Sequence, residues 1–535
     1  MPPRKKNAAP AAPPAPTITD LMKELWQAAV TLRGSIEPSD YKRYVLPLIF
    51  LRFLSLRYEK RRIELERLIA DPKSEHYGDL ASLDDPDEYR SVGAFVVPVD
   101  ARWQRIVGDV ARRDDVKAEM DRILKLVEDT WPDKLRGLLP PIYALSNLDA
   151  ENLRGLINLF SKDVFAADHG GEDVIGRVYE YFIGEFAGSE GKRGGEYFTP
   201  ASIVRTLVAM LEPTEGVVYD PCCGSGGMFV QSDIFTKHSG NLSFVGQESK
   251  EFTLRLCRMN LFIHGIDGDI RLGDTYFNDR HAAVKADFVL ANPPFNDGAK
   301  GEKGWGADRL PDKDPRRVLG EPMPLSPRNA NTMWMLHFLH HLKDGGTAGF
   351  VMATGELSTS EVARLAVRQK ILELDLVDCV VQLPKQLFAN TQIPCALWFL
   401  SKGRRGVPGH RSRLGEILFI DARNLGALLP GSRKQRQLAE DDIERVAATY
   451  REFRRTAKPA DVLGFCRVAT IDEVVGHRHA LMPGRYVGAA VEDDEDEPFE
   501  DRFPALSARF AQQAAAGTAL AGRIVNLLRS VPTDG

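Results

Sequence analysis

The sequence has no excess of basic residues along its 535 positions. Its 70 Lys and Arg residues are outnumbered by 75 Asp and Glu residues, which gives a net charge of −5 at pH 7. Duplex nucleic acid is bound chiefly by neutralising phosphates with Lys and Arg. Any affinity for nucleic acid must therefore come from local patches or from a second protein.

Cysteine is also scarce. The six cysteines, of which Cys222 and Cys223 are adjacent, show none of the paired spacings that a zinc site or a disulfide framework requires. We therefore predict no metal centre and a reducing, cytoplasmic location.

No apolar run is long enough to cross a bilayer. The most apolar early stretch, YVLPLIFLRFLSL, is short and contains Pro47 and Arg52, so it is predicted to be a buried helix, and no membrane association is expected. Residues 1–17 have Ala and Pro where a signal peptide needs an apolar core, and they are expected to form a disordered tail.

The chain is longer than the roughly 250 to 300 residues at which a single hydrophobic core stops growing. Residues 18–165 carry apolar side chains at three- and four-residue spacing, as in LMKELWQAAVTL, which predicts an all-helical N-terminal domain. Residues 166–425 alternate strand and helix patterns, which indicates an α/β domain with a mostly parallel sheet and helices on both faces. Residues 426–535 are polar and helical, and are expected to form a C-terminal region that binds a partner.

The strand candidates of the α/β domain are GVVYD, LSFVGQE, DIRLGD, DFVLANPPF, AGFVMAT, LVDCVVQLP, CALWFLS and EILFID. The first ends at Asp220 and runs into PCCGSGG, where glycine lets the backbone approach a ligand at the carboxyl end of the sheet. No Lys follows these glycines and their spacing departs from GxGxxG, so a nucleoside triphosphate is disfavoured. Gly224, Ser225, Gly226 and Gly227 are predicted to bind a different ligand.

Two further strands end in acids. Glu248 follows Asp220 by one strand-helix-strand unit, and its carboxylate can accept hydrogen bonds from both hydroxyls of a ribose. Asp274 can accept a hydrogen bond from the amino group of an adenine, although Asp also favours turns on its own account. Acids at three strand ends predict a ligand that contains a nucleoside.

The upstream segment EYFTP contains Glu196, Tyr197, Phe198, Thr199 and Pro200. Thr199 is predicted to be a helix N-cap, with Pro200 at the first helical position. A helix N-terminus also binds anions, so this segment is predicted to hold the carboxylate of a methionine moiety. Together with the acids and the glycine loop, it outlines a site for S-adenosylmethionine.

The segment DFVLANPPFND brings Asn292, Pro293, Pro294 and Phe295 to the same edge of the sheet. Consecutive prolines restrict the backbone and remove donors, which leaves the Pro293 carbonyl able to accept a hydrogen bond. With the side-chain oxygen of Asn292, it can take both hydrogens of an exocyclic amine and draw the nitrogen lone pair towards a methyl donor. Phe295 offers a face for stacking on a flipped base. These four residues are the predicted catalytic group.

In the order EYFTP, DPCCGSGG, GQE, LGD and NPPF, the sequence resembles the amino-group DNA methyltransferases. NPPF also occurs in protein-glutamine and RNA methyltransferases, so the motif by itself leaves the substrate open. The segments DYKRYVLPLIFLRFLS, LPKQLF, TQIP and LMPGRYVG are similar to those of the modification subunits of type I restriction-modification systems. This resemblance covers residues 18–490.

The resemblance implies a Rossmann-like S-adenosylmethionine-dependent methyltransferase fold and methylation of adenine N6 in double-stranded DNA. It also implies a specificity subunit, with two modification subunits for each, and allows a restriction subunit as a further component. The sequence departs from the family pattern at Cys222 and Cys223, where such subunits often have alanine. We expect both thiols to pack as small apolar groups, and a cytosine-C5 mechanism is disfavoured.

Three alternatives remain. The first is a protein-glutamine or RNA methyltransferase that uses the same NPPF pocket, and the second is a self-sufficient type II adenine methylase. The third is a catalytically silent DNA-binding or assembly subunit, against which the intact Asp220, Glu248 and Asn292 argue. No long segment indicates a target-recognition domain, so the DNA target is not predicted.

Overall fold

The computed structural model describes residues 18–34, 36–166, 171–189, 199–298, 305–306, 310–388, 393–429, 432, 435–456, 461–488, 507–508, 511–515, 517–518, 520 and 522. The chain divides into two compact units, residues 1–487 and 488–535. In the second unit, the described stretches from 507 onward are helical and exposed. Within the described residues, no helix combines the length and the apolar character needed to cross a bilayer.

The N-terminal part is helical, as predicted. Its helices are α1 Ile18–Thr31, α2 Pro38–Ala70, α3 Pro86–Arg90, α4 Trp103–Gly108, α5 Val116–Thr130, α6 Pro132–Leu135, α7 Ala150–Leu159 and α8 Gly171–Ser189. The apolar stretch around Pro47 lies inside α2 and most of its side chains are buried, which confirms the predicted buried helix.

Helix α8 packs with the N-terminal helices, so their core extends past the predicted boundary at residue 165. Phe182 and Phe186 are four residues apart and lie on the same face of α8. Their rings pack edge-on against Trp26 of α1, at centroid distances of 5.2 and 4.8 Å. The spacing predicted a helix here, but it did not reveal which domain the helix would join.

The second part is built on strands. They are β1 Gly216–Asp220, β2 Leu242–Glu248, β3 Gly268–Leu272, β4 Ala286–Ala291, β5 Val318–Leu319, β6 Glu321–Pro322, β7 Leu342–Ala353, β8 Val377–Gln382, β9 Cys395–Ser401, β10 Glu416–Asp421, β11 Ala427–Leu428, β12 Arg436–Gln437 and β13 Cys466–Thr470. The helices are α9 Ala201–Leu211, α10 Gly227–Phe235, α11 Glu251–Ile263, α12 Asn331–His341, α13 Val362–Glu373, α14 Glu440–Arg455 and α15 Ile471–Gly476.

Nine strands form one sheet in the order β13, β10, β8, β9, β7, β4, β1, β2, β3. Neighbouring strands are parallel, except that β9 is antiparallel to β7 and β8, and β13 is antiparallel to β10. Each of the eight predicted strand segments overlaps one strand of this sheet. The predicted mostly parallel α/β fold is therefore confirmed.

Both faces of the sheet are covered. In β8, Cys379 and Val381 point into one apolar core and Val380 points into the other, as the two-residue period of a strand requires. Helices α9 and α14 contribute to the first core, and α12 and α13 contribute to the second. Burial on both sides explains why these strands are continuous apolar runs.

The predicted boundary after residue 425 is not a structural one. Strand β13 pairs with β10, and helix α14 packs against α9 on the sheet. The apolar side chains of α14, among them Ile443, Val446 and Tyr450, are buried in the core of the sheet domain. Helical periodicity predicts that the apolar face of a helix will be buried, but it does not predict which other element will bury it.

Candidate active site

Three neighbouring parallel strands end at one edge of the sheet. Strand β1 lies between β2 and β4, and these strands end at Asp220, Glu248 and Ala291. Asn292 follows directly after β4. Because the chain runs from β1 to β2 and β3 on one side of β1 and then returns to β4 on the other side, a crevice forms at this point, where open α/β sheets bind ligands.

A cavity of about 360 Å³ opens at this edge. The predicted site residues that line it are Thr199, Asp220, Gly224, Ser225, Gly227, Glu248, Asp274, Asn292, Pro294 and Phe295. The structure therefore brings together residues from all the motifs that fall within its described range.

Some predicted residues do not line the cavity. Pro200 and Pro293 are described but lie outside the lining, and so does Gly226. Gly226 has a φ of 82°, and a Cβ atom there would lie 2.9 Å from Cys257 Sγ, so this glycine is needed for close packing on α11. Glu196, Tyr197 and Phe198 lie outside the described residues.

Asp220 is buried beneath the glycine loop and accepts a hydrogen bond from the amide of Cys222 at 3.0 Å. Burial raises its pKa to about 7, and the nearby Glu248 carboxylate acts in the same direction. A carboxyl group in this environment is protonated much more readily than a solvated one.

Glu248 holds two segments of backbone. One of its oxygens accepts from the amide of Gly224 at 3.1 Å, and the other accepts from the amide of Lys250 at 2.9 Å and from the hydroxyl of Ser249 at 3.2 Å. Burial raises the pKa of this carboxyl group. Glu248 therefore shapes the glycine loop, a role that the sequence did not suggest.

Asn292 is oriented by Thr199. The side-chain nitrogen of Asn292 donates to the Thr199 hydroxyl at 2.9 Å, whereas its side-chain oxygen is buried and has no hydrogen-bond partner among the described residues. Buried acceptors are usually paired, so an unpaired one beside a cavity indicates a ligand that donates to it.

Thr199 is not the N-cap that the sequence predicted. Helix α9 begins at Ala201 with Pro200 as its cap residue, and no side chain caps it. The Thr199 hydroxyl is instead engaged by Asn292. Local preference favours Thr before Pro at a helix start, but a tertiary hydrogen bond determines where this hydroxyl points.

Residues after the NPPF motif are held by a polar network that sequence reasoning missed. Asn296 has a φ of 52°, a left-handed conformation. Asn331 accepts from the Asn296 amide at 2.8 Å and donates to the Asn296 side chain at 3.0 Å and to Glu356 at 2.9 Å. Asn329 also donates to Asn296, and Arg364 contacts Glu356. The available signal was the polar segment SPRNANT, which leads into the apolar helix α12.

Aromatic residues form another part of the wall. Phe295 lies perpendicular to Phe388, with ring centroids 6.1 Å apart. The indole of Trp334 donates to the hydroxyl of Tyr276 at 2.9 Å, and both residues line the cavity beside Asp274. The sequence analysis identified Phe295 but missed Trp334, Tyr276 and Phe388.

Family models match the chain in two segments. One model, described as N-6 DNA Methylase, matches residues 170–495, and another, described as HsdM N-terminal domain, matches residues 21–160. The first segment runs past residue 425, in agreement with the place of β13 in the sheet.

Methylase subunits of type I restriction enzymes are also similar to this chain over most of their length. The methylase subunit of the type I restriction enzyme MjaIX from Methanocaldococcus jannaschii is 40% identical over 497 residues, which cover 90% of this chain and 86% of that one. The HindI methylase subunit from Haemophilus influenzae is 38% identical and covers 80% of this chain and 98% of its own. A solved methyltransferase subunit of a type I restriction-modification system from Streptococcus thermophilus has a TM-score of 0.71 at 25% identity, over 89% of this chain and 100% of that one.

Proposed function

Because the chain belongs to the N-6 DNA methylase family, we propose that it methylates the N6 amino group of a flipped adenine in double-stranded DNA, with S-adenosylmethionine as donor. In this proposal it acts as the modification subunit of a type I restriction-modification complex. Its relatives are type I methylase subunits, which favours DNA over the protein-glutamine and RNA alternatives and over a type II enzyme. The observation that carries the proposal is the unpartnered side-chain oxygen of Asn292 beside the cavity.

Asn292 and the Pro293 carbonyl accept the two hydrogens of the target amine in this mechanism. An amino nitrogen whose hydrogens are held out of the base plane loses conjugation with the ring, so its lone pair becomes available for methylation. The hydrogen bond from Asn292 to Thr199 keeps the accepting oxygen in place before the base arrives. Phe295, held against Phe388, is the proposed stacking face.

The residues present fit S-adenosylmethionine, which supplies an electrophilic methyl group. Glu248 uses only part of the accepting capacity of its two oxygens on the backbone and the Ser249 hydroxyl, so it can also accept from ribose hydroxyls. Asp274 at the cavity is the proposed acceptor for the adenine amino group of the cofactor. Thr199 lies where the methionine end would be held, although Asn292 already engages its hydroxyl.

The adjacent cysteines support direct methyl transfer. Burial raises the pKa of the Cys222 thiol well above its usual range, and contact with Cys257 together with burial does the same for Cys223. A thiol that stays protonated is a poor nucleophile. Neither of these two cysteines is therefore activated to form a covalent intermediate of the cytosine-C5 type.

DNA reading is assigned to a separate specificity subunit, with two copies of this chain per complex. The net charge of −5 limits phosphate neutralisation by this chain alone. Within residues 426–487, β13 pairs with the sheet and α14 is buried in its core, so the described part of this range does not form a separate recognition domain. A restriction subunit would complete the complex, and the lack of disulfide bonds among the described cysteines suits a reducing cytoplasm.

The test is substitution of Asn292 by alanine in the full chain, with and without a specificity subunit. Calorimetry with S-adenosylmethionine should give nearly unchanged affinity, whereas N6-methyladenine in DNA should fall below detection by mass spectrometry, because an interaction with the target amine alone is lost. Asn241→Ala, at an exposed loop position, is the matched control and should retain activity.

Two results would contradict the proposal. One is normal methylation by the Asn292→Ala protein together with weakened cofactor binding. The other is robust, site-specific methylation by the unmodified chain without any partner, which would favour a self-sufficient enzyme.

A further inference from the structure

A second cluster of functional side chains lies outside the cavity. Asp279 follows β3, and His337 and His341 lie one turn apart on α12. One ligand-type atom from each of these three side chains lies within 4.8 Å of the other two, and both histidines are completely buried, with 0% exposure. The sequence analysis searched for cysteine pairs and predicted no metal, so it passed over this group.

The orientation of His341 directs its Nε2 towards the carboxylate of Asp279. Its Nδ1 lies 2.9 Å from the carbonyl oxygen of Val284, which can only accept, so Nδ1 carries the proton. In the neutral ring, Nε2 is then an acceptor, and it lies 3.0 Å from Oδ2 of Asp279. Because two bare acceptors would repel at this distance, either a proton on Nε2 or a metal ion must lie between these two atoms.

His337, the third member of the cluster, has one unpartnered ring nitrogen. Its Nε2 lies 3.1 Å from the hydroxyl of Tyr219, whereas Nδ1 is buried and makes no hydrogen bond within the described part of the chain. The Tyr219 hydroxyl can accept a hydrogen bond from Nε2, which leaves the lone pair of Nδ1 open to a further partner. A neutral imidazole is the form that binds metal ions.

We infer that Asp279, His337 and His341 bind one divalent transition-metal ion, with Zn²⁺ as the best match to two imidazoles and a carboxylate. Two ligands of a tetrahedral zinc ion lie about 3.3 Å apart, close to the spacing of His341 and Asp279. Histidine ligands typically donate their second ring nitrogen to a carbonyl, as His341 does to Val284. The fourth position is left to water.

The surrounding charges permit a dication. Asp279 supplies a negative charge to the cluster. The guanidinium of Arg316, which acts on His337, is paired with Asp314 at 2.8 Å. A bound ion would tie α12 to the segment between β3 and β4, and α12 also carries Asn331 and Trp334 of the active site.

The experiment uses the full chain without a polyhistidine tag. The protein is dialysed against a chelator, returned to buffer with ZnCl₂, and analysed for metal content and thermal unfolding. We expect about one zinc per chain, a rise in Tm of several degrees on zinc addition, and visible absorption of a tetrahedral site after substitution with Co²⁺. None of these measurements depends on methylation activity.

Substitutions distinguish a loss of zinc binding from a loss of folding. His341→Ala and Asp279→Asn should each weaken zinc binding by more than about 100-fold, since loss of outer-shell partners alone costs about 10- to 100-fold. His340→Ala, the neighbouring residue on α12, should keep the full zinc content. The inference is overturned if the unmodified, folded chain retains no zinc and shows no Tm shift, because His341 and Asp279 would then be joined by a proton alone.

Discussion

The two halves of the active-site wall are held together in different ways. In the glycine-loop half, residues 220–227 and 248–250, Asp220 and Glu248 accept hydrogen bonds mainly from backbone amides close to them in the chain. In the NPPF half, residues 292–297, Asn292 depends on Thr199, 93 residues away, and Asn296 depends on Asn331, 35 residues away. The first half is formed largely by its own segments, and the second is assembled by tertiary contacts.

The largest difference should appear in the dependence of stability on pH. Only the glycine-loop half contains a buried carboxyl whose pKa is raised to about 7, that of Asp220. The folded state binds this proton more tightly than the unfolded state, so stability falls as pH rises from about 4 to about 7, by up to about 1.4 kcal/mol per pH unit. Urea unfolding of the cofactor-free Asp220→Asn variant should lack this component.

The matched control for that experiment is Asn292→Ala, because a carboxamide does not titrate. It should keep the pH slope of the unmodified protein. Identical pH profiles for the unmodified chain and Asp220→Asn would show that Asp220 is ionised in the fold.

The second prediction concerns the support of the NPPF half. Asn331→Ala removes two of the hydrogen bonds that hold Asn296 in its left-handed conformation and leaves Glu356 without one of its partners. Displacement of reacting groups by about 1 Å costs about 100-fold in rate, so kcat should fall by at least about that much with the cofactor Kd little changed. Single-turnover methylation and calorimetry measure the two effects. A parallel loss of cofactor affinity would mean that Asn331 supports the whole site.

The third prediction concerns the glycine-loop half. Glu248→Ala removes acceptors for the ribose and for the amide of Gly224. Hydrogen bonds to a charged group contribute about 1.5 to 3 kcal/mol, so cofactor affinity should fall roughly 10- to 100-fold in a protein that remains folded. Calorimetry gives the affinity and circular dichroism checks the fold. An unchanged Kd would show that Glu248 only organises its own turn.

The smallest effect on catalysis is expected from substitution of Thr199, which lines the same cavity as both halves. Thr199→Val keeps the shape of the side chain but removes the hydroxyl that accepts from Asn292. A single neutral hydrogen bond contributes about 1 kcal/mol, so kcat should fall about 5-fold. Thr199→Ser should restore most of the rate. If Thr199→Val instead abolishes cofactor binding, the hydroxyl serves the methionine end more than it serves Asn292.

The residues that could be predicted from the sequence share one property. Asp220, Glu248 and Asn292 each stand at the end of an apolar run, and apolar runs of this length become buried strands. Parallel strands place their carboxyl ends on one edge, so the three side chains had to converge. Asn331, Glu356 and Trp334 had no comparable signal, because each belongs to a helix or turn whose partner lies far along the chain.

The amino-acid sequence by itself determined the order of strands and helices, the helical N-terminal part, and the side chains presented at the strand ends, because these depend on periodicity and on neighbours within a few residues. Tertiary structure decided that α8 packs with the N-terminal helices, that β13 completes the sheet, and that Thr199 orients Asn292 instead of capping a helix. It also decided that Asp279 meets His341. Each of these depends on a contact between distant segments. The local sequence shows that a polar group or an apolar face needs a partner, but it does not show which distant group that partner will be.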